Sequence, residues 1–401
     1  MSGLRRFGYL RGAVSYLSLG LRIGVGKPTG LRPRQLRLFG GIDLALAVLL
    51  VAWRACVPLA AAFGASGALS SPLHARGNEP SFQEQLPTTP FAAGGGTRYF
   101  TLAIENDSLG SGSDQHYTSG VRATWLSPGK EPTVFATKLM NLFGTSDAPA
   151  PSASYFSLGQ NLYTPEDIAA EVPDPNDRPY AAFLYASRGY TRVLGNRIDN
   201  IELTVGVVGP LALGEPTQKA VHQLLDAVDP KGWDAQLDNE IGINAAWERR
   251  WPDAWGATIG DVRSRLMPHV GVSLGNVYTH ASAGLTWQVL PNSYHWQSPP
   301  LRVRPAIPGS GFFYSDGSGT GWSAFAGVEV RAVARNIFLD GNTFESSPSV
   351  DKKPFVVDAN AGVTLAFERL RIAYTLNWRS REFDGQRNAH VFGALSVSRR
   401  F

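Results

Sequence analysis

The chain has 401 residues, of which 43 are glycine, 11% are aromatic and only 17% are charged. That length fits two or three ordinary domains or one large β-barrel. A mean hydropathy near zero, spread over segments that are apolar at alternate positions, favours the barrel, where each strand has one greasy and one polar face. The formal net charge of +4 owes much to arginines in the first 55 residues, no nucleic-acid motif is present, and the single cysteine, Cys56, lies in the same leading stretch. A nucleic-acid partner, a disulfide framework and thiol catalysis are therefore not expected of the mature chain.

Residues 1–75 read as a targeting segment. Arg5, Arg6, Arg11, Arg22, Arg32, Arg34 and Arg37 make a basic front, Leu44 to Trp53 an apolar core, and Ala60 to Ala68 a small-residue stretch suited to cleavage. The apolar core is too short to span a bilayer and is followed by Arg54. Residues 76–97, rich in Pro, Gly, Ser and Thr, read as a disordered linker, so the mature protein is expected to begin between Ser66 and Gly96.

From Arg98 to the last residue, two-residue periodicity dominates. Phe100, Leu102 and Ile104 alternate with Thr101, Ala103 and Glu105, and Val121, Ala123 and Trp125 alternate with Arg122 and Thr124. Further strands are expected near 153–163, 180–193, 197–209, 238–250, 262–274, 277–289, 321–335, 355–367, 369–381 and 390–401, about twelve in all. In 355–367 one face is wholly apolar while the other carries Asp358, Asn360 and Thr364; Ile372, Tyr374, Leu376 and Trp378 alternate likewise with Arg371, Thr375, Asn377 and Arg379. Such charges are too costly for a soluble core, whereas a hydrated barrel interior can hold them. A soluble β-protein with half-exposed strands is the alternative. The last strand, with Val391, Gly393, Leu395 and Val397 alternating to a terminal Phe401, resembles the closing strand of bacterial outer-membrane barrels. An even strand number puts both termini on the periplasmic side. That parity also puts the long segment Pro291 to Gly319 there, where short turns are the rule.

One stretch changes period. Ile201, Leu203, Val205 and Val207 alternate as a strand; Gly209-Pro210 stops it, and Gly214-Glu215-Pro216 opens a short helix with proline in its first turn. Ala220, Val221, Leu224 and Leu225 form an apolar stripe, and Gln218 and His222, four apart, share a face. The amide can then hold one imidazole nitrogen and leave the other as a base. A surface histidine without a role is the plainer reading. Other polar residues collect at the same rim: Asn106-Asp107-Ser108 after the first strand, Tyr117-Thr118-Ser119-Gly120 opening the second, Gln160 to Pro165 closing the third, and Asp177-Arg178-Pro179-Tyr180 before the fourth. Carboxylate and amide oxygens at 106–107 could hold a hard cation such as calcium, although Asn-Asp-Ser is also ordinary turn chemistry. Asp177-Arg178 reads first as a charge-paired loop anchor.

These stretches, with Gly206 to Pro210, Gln218 to His222 and Gly275-Asn276-Val277, occur in the order and approximate spacing of the outer-membrane lipid A 3′-O-deacylases, which the chain resembles over about 98–401. The resemblance implies a transmembrane antiparallel β-barrel, a lipopolysaccharide substrate and a monomer in the bacterial outer membrane. It implies that Asn106, Asp107 and Thr118 line the site, that His222 is the general base on a helix of an extracellular loop with Gln218 orienting it, and that a calcium ion near Asp107 polarises the ester carbonyl. Two departures stand out: Ser108 replaces a second aspartate of some members, and residues 164–177 lack a lysine those members carry there. Gly271-Val272-Ser273-Leu274-Gly275 matches Gly-x-Ser-x-Gly but falls on the expected strand 262–274 and makes no strand-to-helix nucleophile elbow, so activated water is the economical nucleophile. Two other readings stay open: an outer-membrane phospholipase with a serine nucleophile, and a non-catalytic channel or binding barrel plugged by the loop helix.

Overall fold

The computed structural model describes residues 96–110, 116–142, 150–291, 296–297, 302–303, 313–314 and 320–401. The expected targeting segment and all but the last two residues of the expected linker lie outside the described residues. In chain order the strands are β1 (Tyr99–Asn106), β2 (His116–Pro128), β3 (Ser152–Thr164), β4 (Ala181–Leu194), β5 (Arg197–Val208), β6 (Glu240–Arg250), β7 (Trp255–Ile259), β8 (Val262–Gly275), β9 (Tyr278–Pro291), β10 (Trp296–Gln297), β11 (Phe313–Tyr314), β12 (Thr320–Asn336), β13 (Phe355–Phe367), β14 (Leu370–Arg379) and β15 (His390–Arg400). Among the described residues three α-helices accompany them: α1 (Val134–Asn141), α2 (Gly214–Leu225) and α3 (Ile337–Asp340).

Twelve of the strands close into an antiparallel barrel. The sheet runs β6-β5-β4-β3-β2-β1-β15-β14-β13-β12-β9-β8, and β6 pairs with β8 to shut it. β7 is an addition that periodicity did not show: it pairs with the first residues of β8, through Trp255↔Leu266 and Ile259↔Val262, while β6 pairs with the last. β10 and β11 form a separate two-residue ladder.

Alternation fixes which face of each strand is wet. Tyr99, Thr101, Ala103 and Glu105 of β1 are buried inside, whereas Leu102 and Ile104 are exposed on the outside. β13 exposes Val363, Leu365 and Phe367 and buries Asp358 and Thr364. A one-residue slip between any pair would exchange these faces, so the pattern pins the register. No described helix is long and apolar enough to cross a membrane.

The interior is packed with paired charges. Arg122 bonds Glu202 at 2.6 Å, and the Tyr155 hydroxyl donates to the same carboxylate at 2.8 Å. Asp358 takes both Arg331 and Arg379 at 2.7 Å. A buried charge without a partner costs several kcal/mol, roughly, which is why these groups come as pairs and triads. At the end away from the termini, Tyr117, Tyr163, Phe183, Tyr185, Tyr278 and Phe392 converge inside the mouth. Helix α3 swings Phe338 in to stack on Tyr163, with ring centroids 4.0 Å apart.

The long segment after β9 keeps its expected parity. Val303, within it, is fully buried inside the barrel: its N–H donates to Glu105 Oε1 at 3.0 Å, and its carbonyl accepts from the Tyr185 hydroxyl at 2.6 Å.

Candidate active site on the outer wall

The helix bearing His222 is held against the outside of the wall by local devices legible in the chain. Gly209 ends β5 with φ of 95°, and a Cβ there would come within 2.5 Å of the Asp238 carbonyl oxygen. Pro210–Ala212 then make one 3-10 turn, Leu213 takes a left-handed conformation, and α2 starts at Gly214. A methyl on Gly214 would lie 2.5 Å from both Ala182 Cβ and the Trp233 ring, so glycine lets the helix close on the strand. From the wall, Gln160 donates to the Ala212 carbonyl at 2.7 Å and to Thr217 Oγ1 at 3.2 Å. An outward polar residue on an apolar strand face is thereby used as a clamp. Leu162, Ile168, Tyr180, Ala182, Ala212 and Trp233 form a buried apolar cluster outside the barrel, between wall and loops.

Gln218 and His222 are 2% and 6% exposed, both turned toward the wall. His222 Nδ1 lies 2.5 Å from the Val228 carbonyl oxygen. A carbonyl only accepts, so Nδ1 carries the proton and the lone pair is on Nε2. The Trp233 indole N–H donates to Gln218 Oε1 at 2.7 Å. Indole nitrogen only donates, so this contact also fixes which way the amide faces. The amide Nε2 is buried with no hydrogen-bond partner among the described residues. The expected amide–imidazole bond between Gln218 and His222 is therefore not formed: the Val228 carbonyl orients the ring, and Trp233 holds the amide. Spacing four residues apart on a helix puts two side chains on one face but leaves open what else reaches that face. Here two residues of the following loop arrive first.

A second group sits on the neighbouring strands. Asn106 donates through Nδ2 to the Thr118 carbonyl at 3.0 Å, and its Oδ1 accepts from the Ser108 N–H at 2.8 Å and from the Ser108 hydroxyl. It caps a single 3-10 turn, Asp107–Leu109, and ties β1 to β2 where the β2–β3 register shifts between Tyr117 and Ser119. That irregularity leaves Thr118 2% exposed with its hydroxyl 2.5 Å from Thr164 Oγ1. On β3, Gln160, Leu162 and Thr164 follow one another at spacing two on the outward face, linking the helix clamp to the Thr118 contact. Asp107 is fully buried. As a donor set this suits a hard ion in kind but not in number. Calcium takes 6–8 oxygens, whereas Asp107 brings one carboxylate, Asn106 Oδ1 is engaged by Ser108, and no three His, Cys, Asp or Glu side chains converge among the described residues.

Other motifs prove to be loop staples. Asp177 accepts the Glu166 N–H at 2.6 Å, while Arg178, fully buried, reaches Glu382 at 3.3 Å and lies over the Tyr163 and Phe383 rings. Asn276 bonds Glu240 at 2.7 Å and the Ile241 carbonyl at 2.7 Å, locking the β8–β9 turn to β6. Glu240 also accepts the Thr343 N–H at 2.6 Å. These residues brace the mouth, apart from the helix that carries Gln218 and His222.

The family model described as outer membrane protein LpxR matches residues 81–401. Among solved structures, the chain is similar to LpxR from Salmonella typhimurium, at 20% identity over 75% of this chain and 99% of that one, with a TM-score of 0.62. The β domain of the Bordetella autotransporter BrkA matches at 10% identity over 76% and 98%, with a TM-score of 0.37. No curated protein matches the chain.

Proposed function

The chain belongs to the LpxR family of outer-membrane proteins, the lipid A 3′-O-deacylases, and on that premise we propose that it removes the 3′-linked acyloxyacyl chain of lipid A with His222 as general base. The observation that carries the reading is the fixed tautomer. The Val228 carbonyl accepts from Nδ1–H, so Nε2 is the basic nitrogen, and it belongs to a ring held on the outer wall of a membrane barrel. Nε2 takes a proton from water, and the resulting hydroxide adds to the ester carbonyl carbon. The tetrahedral adduct collapses, the bond to the sugar 3′-oxygen breaks, and that oxygen recovers the proton from the imidazolium. The products are a free fatty acid and an alcohol.

Gln218 is assigned a different part from the one its spacing suggests. With Oε1 held by Trp233, its NH2 group is a buried donor without a partner, suited to the oxygen that gains charge in the adduct. Calcium enters in the reduced form the donors allow. Asp107 would hold it, with water and substrate oxygens completing the shell, and a bound ion would polarise the ester carbonyl. Asn106 and Thr118 shape the strand ends beside it. Every residue named comes from one chain, and the protein is read as a monomer.

Mass spectra of lipid A from cells carrying the protein test the reading. Loss of the 3′ acyl mass with wild type and its retention with His222→Ala is the expected result; equal loss with both would end the mechanism. The phospholipase alternative predicts instead that Ser108→Ala or Ser119→Ala abolishes turnover. Ser108 already donates its hydroxyl to Asn106, which counts against it as a nucleophile.

A further inference from the structure

Helix α2 has a side that the reaction does not use. At about 100° per residue, Gly214, Gln218 and His222 face the wall, and Glu215, Lys219 and Gln223 make a polar side on which Lys219 bonds Glu215 at 2.6 Å. The remaining arc carries Pro216, Ala220 and Leu224, with Thr217, held by Gln160, and Val221 along its edge next to the wall, joined by Leu211 and Leu213 from the turn before. Leu224 is 85% exposed, Leu211 63%, Leu213 54% and Val221 44%. The helix is thus amphipathic in an inverted sense, since its buried face is the polar one.

The strands that α2 covers continue directly into exposed apolar wall. On β3, Gln160 clamps the helix, and the next outward residue, Leu158, is exposed, about 7 Å along the strand. On β4, Ala182 lies under the helix start and Leu184 is exposed; on β5, Val207 packs against the cluster and Val205 and Leu203 are exposed. In a barrel of the outer membrane this outward surface is the hydrocarbon belt.

We infer that the apolar arc of α2 is a lipid-contact surface that carries the belt up onto the helix bearing His222. Its occupant is the acyl hydrocarbon of the outer leaflet, and the Glu215–Lys219 side looks toward headgroups and water. Three observations select this occupant over a protein partner: continuity with the belt, an ion-paired polar side next to the apolar one, and a helix whose first turn is seated on the outside of the wall. For catalysis, which rests on the proposed deacylase reading, the consequence is that the ester reaches His222 from the membrane plane.

The test places a cysteine at Leu224 or, as control, at Gln223, in the full chain with Cys56→Ser. Each is labelled with an environment-sensitive fluorophore and reconstituted in vesicles with or without brominated acyl chains. The Leu224 label should be quenched several-fold more by bromolipid than the Gln223 label. Quenching of the Leu224 label by aqueous iodide and not by bromolipid, or disulfide-linked dimers through Leu224→Cys, would overturn the inference. Independently, Leu224→Glu should lower turnover of vesicle-embedded lipid A by about tenfold or more and spare detergent-dispersed lipid A. An equal effect in both would count against it. If no deacylation is found with any variant, the proposed reaction fails while the quenching result still decides lipid contact.

Discussion

At the scale of single residues, two donor–acceptor contacts support the proposed chemistry. A carbonyl facing His222 Nδ1 leaves the lone pair on Nε2, and an indole N–H facing Gln218 turns the amide donor away from itself. His222→Ala should lower turnover by about 10²-fold or more, the usual worth of general-base catalysis, with heat-modifiable gel mobility unchanged. Trp233→Phe keeps the ring and its packing on Tyr180 but removes the N–H. It should reduce kcat by roughly 10–100-fold, the usual worth of a group that orients an active-site residue, with little change in KM. The double variant Trp233→Phe/Gln218→Ala should be no worse than Gln218→Ala alone; full additivity would show that Trp233 does not act through the amide. Asp107→Ala should abolish or sharply lower turnover. With a single carboxylate in place, wild-type activity should need calcium well above the range of dedicated cages, which a titration in chelator-buffered metal would read out.

At the scale of the element, α2 is a helix placed by its neighbours more than by its own sequence. Twelve residues are marginal for an isolated helix. The first turn is seated by Gly214 against Ala182 and Trp233 and by the Gln160 clamp, and the last turn ends in the left-handed Asp226 with its N–H on the His222 carbonyl. Gly214→Ala should therefore displace the helix start, at about 1–3 kcal/mol for overpacking. Activity should fall while the barrel keeps its heat-modifiable mobility; a fully active Gly214→Ala protein would show that the seating is dispensable. The apolar arc of the same helix gives it a second anchor, because burying one leucine in hydrocarbon stabilises by about 1.5–3 kcal/mol. At the other end of the chain, none of the first 98 residues carries a strand period. N-terminal sequencing of the outer-membrane form should begin between Ser66 and Gly96, and a retained Met1 would overturn that expectation.

At the scale of the whole molecule, the described side chains crowd the barrel interior. Phe338 and its aromatic neighbours occupy the mouth, with the Arg331–Asp358–Arg379 group beside them where Arg379 lies over Phe392; Arg122–Glu202 pairs inside the wall, and Val303 sits in the lumen. The purified protein should give no steady conductance in planar bilayers. A stable open pore with no fatty acid released from lipid A would favour the channel reading over the enzyme.

The strand set was legible because a membrane barrel obliges every strand to declare its two faces in the order of its side chains: Leu102 and Ile104 outside, Thr101 and Glu105 inside. The count of twelve, the parity and the helix after β5 follow from that period and from Gly209, Gly214 and Pro216. The paired exterior strand β7 escaped because five exposed residues on a hairpin carry no two-faced signal. Proximity in space was not legible. Nothing in the order of residues announces that Trp233 would reach Gln218 across a loop, that the Val228 carbonyl would face His222 Nδ1, or that Val303 would meet Glu105 inside the lumen. Those contacts are decided by how loops fold over a finished wall, where a side chain's partner is whichever donor or acceptor the packed backbone brings within about 3 Å. Periodicity is a property of neighbours in sequence, whereas a reacting group is assembled from residues whose only relation is the tertiary structure.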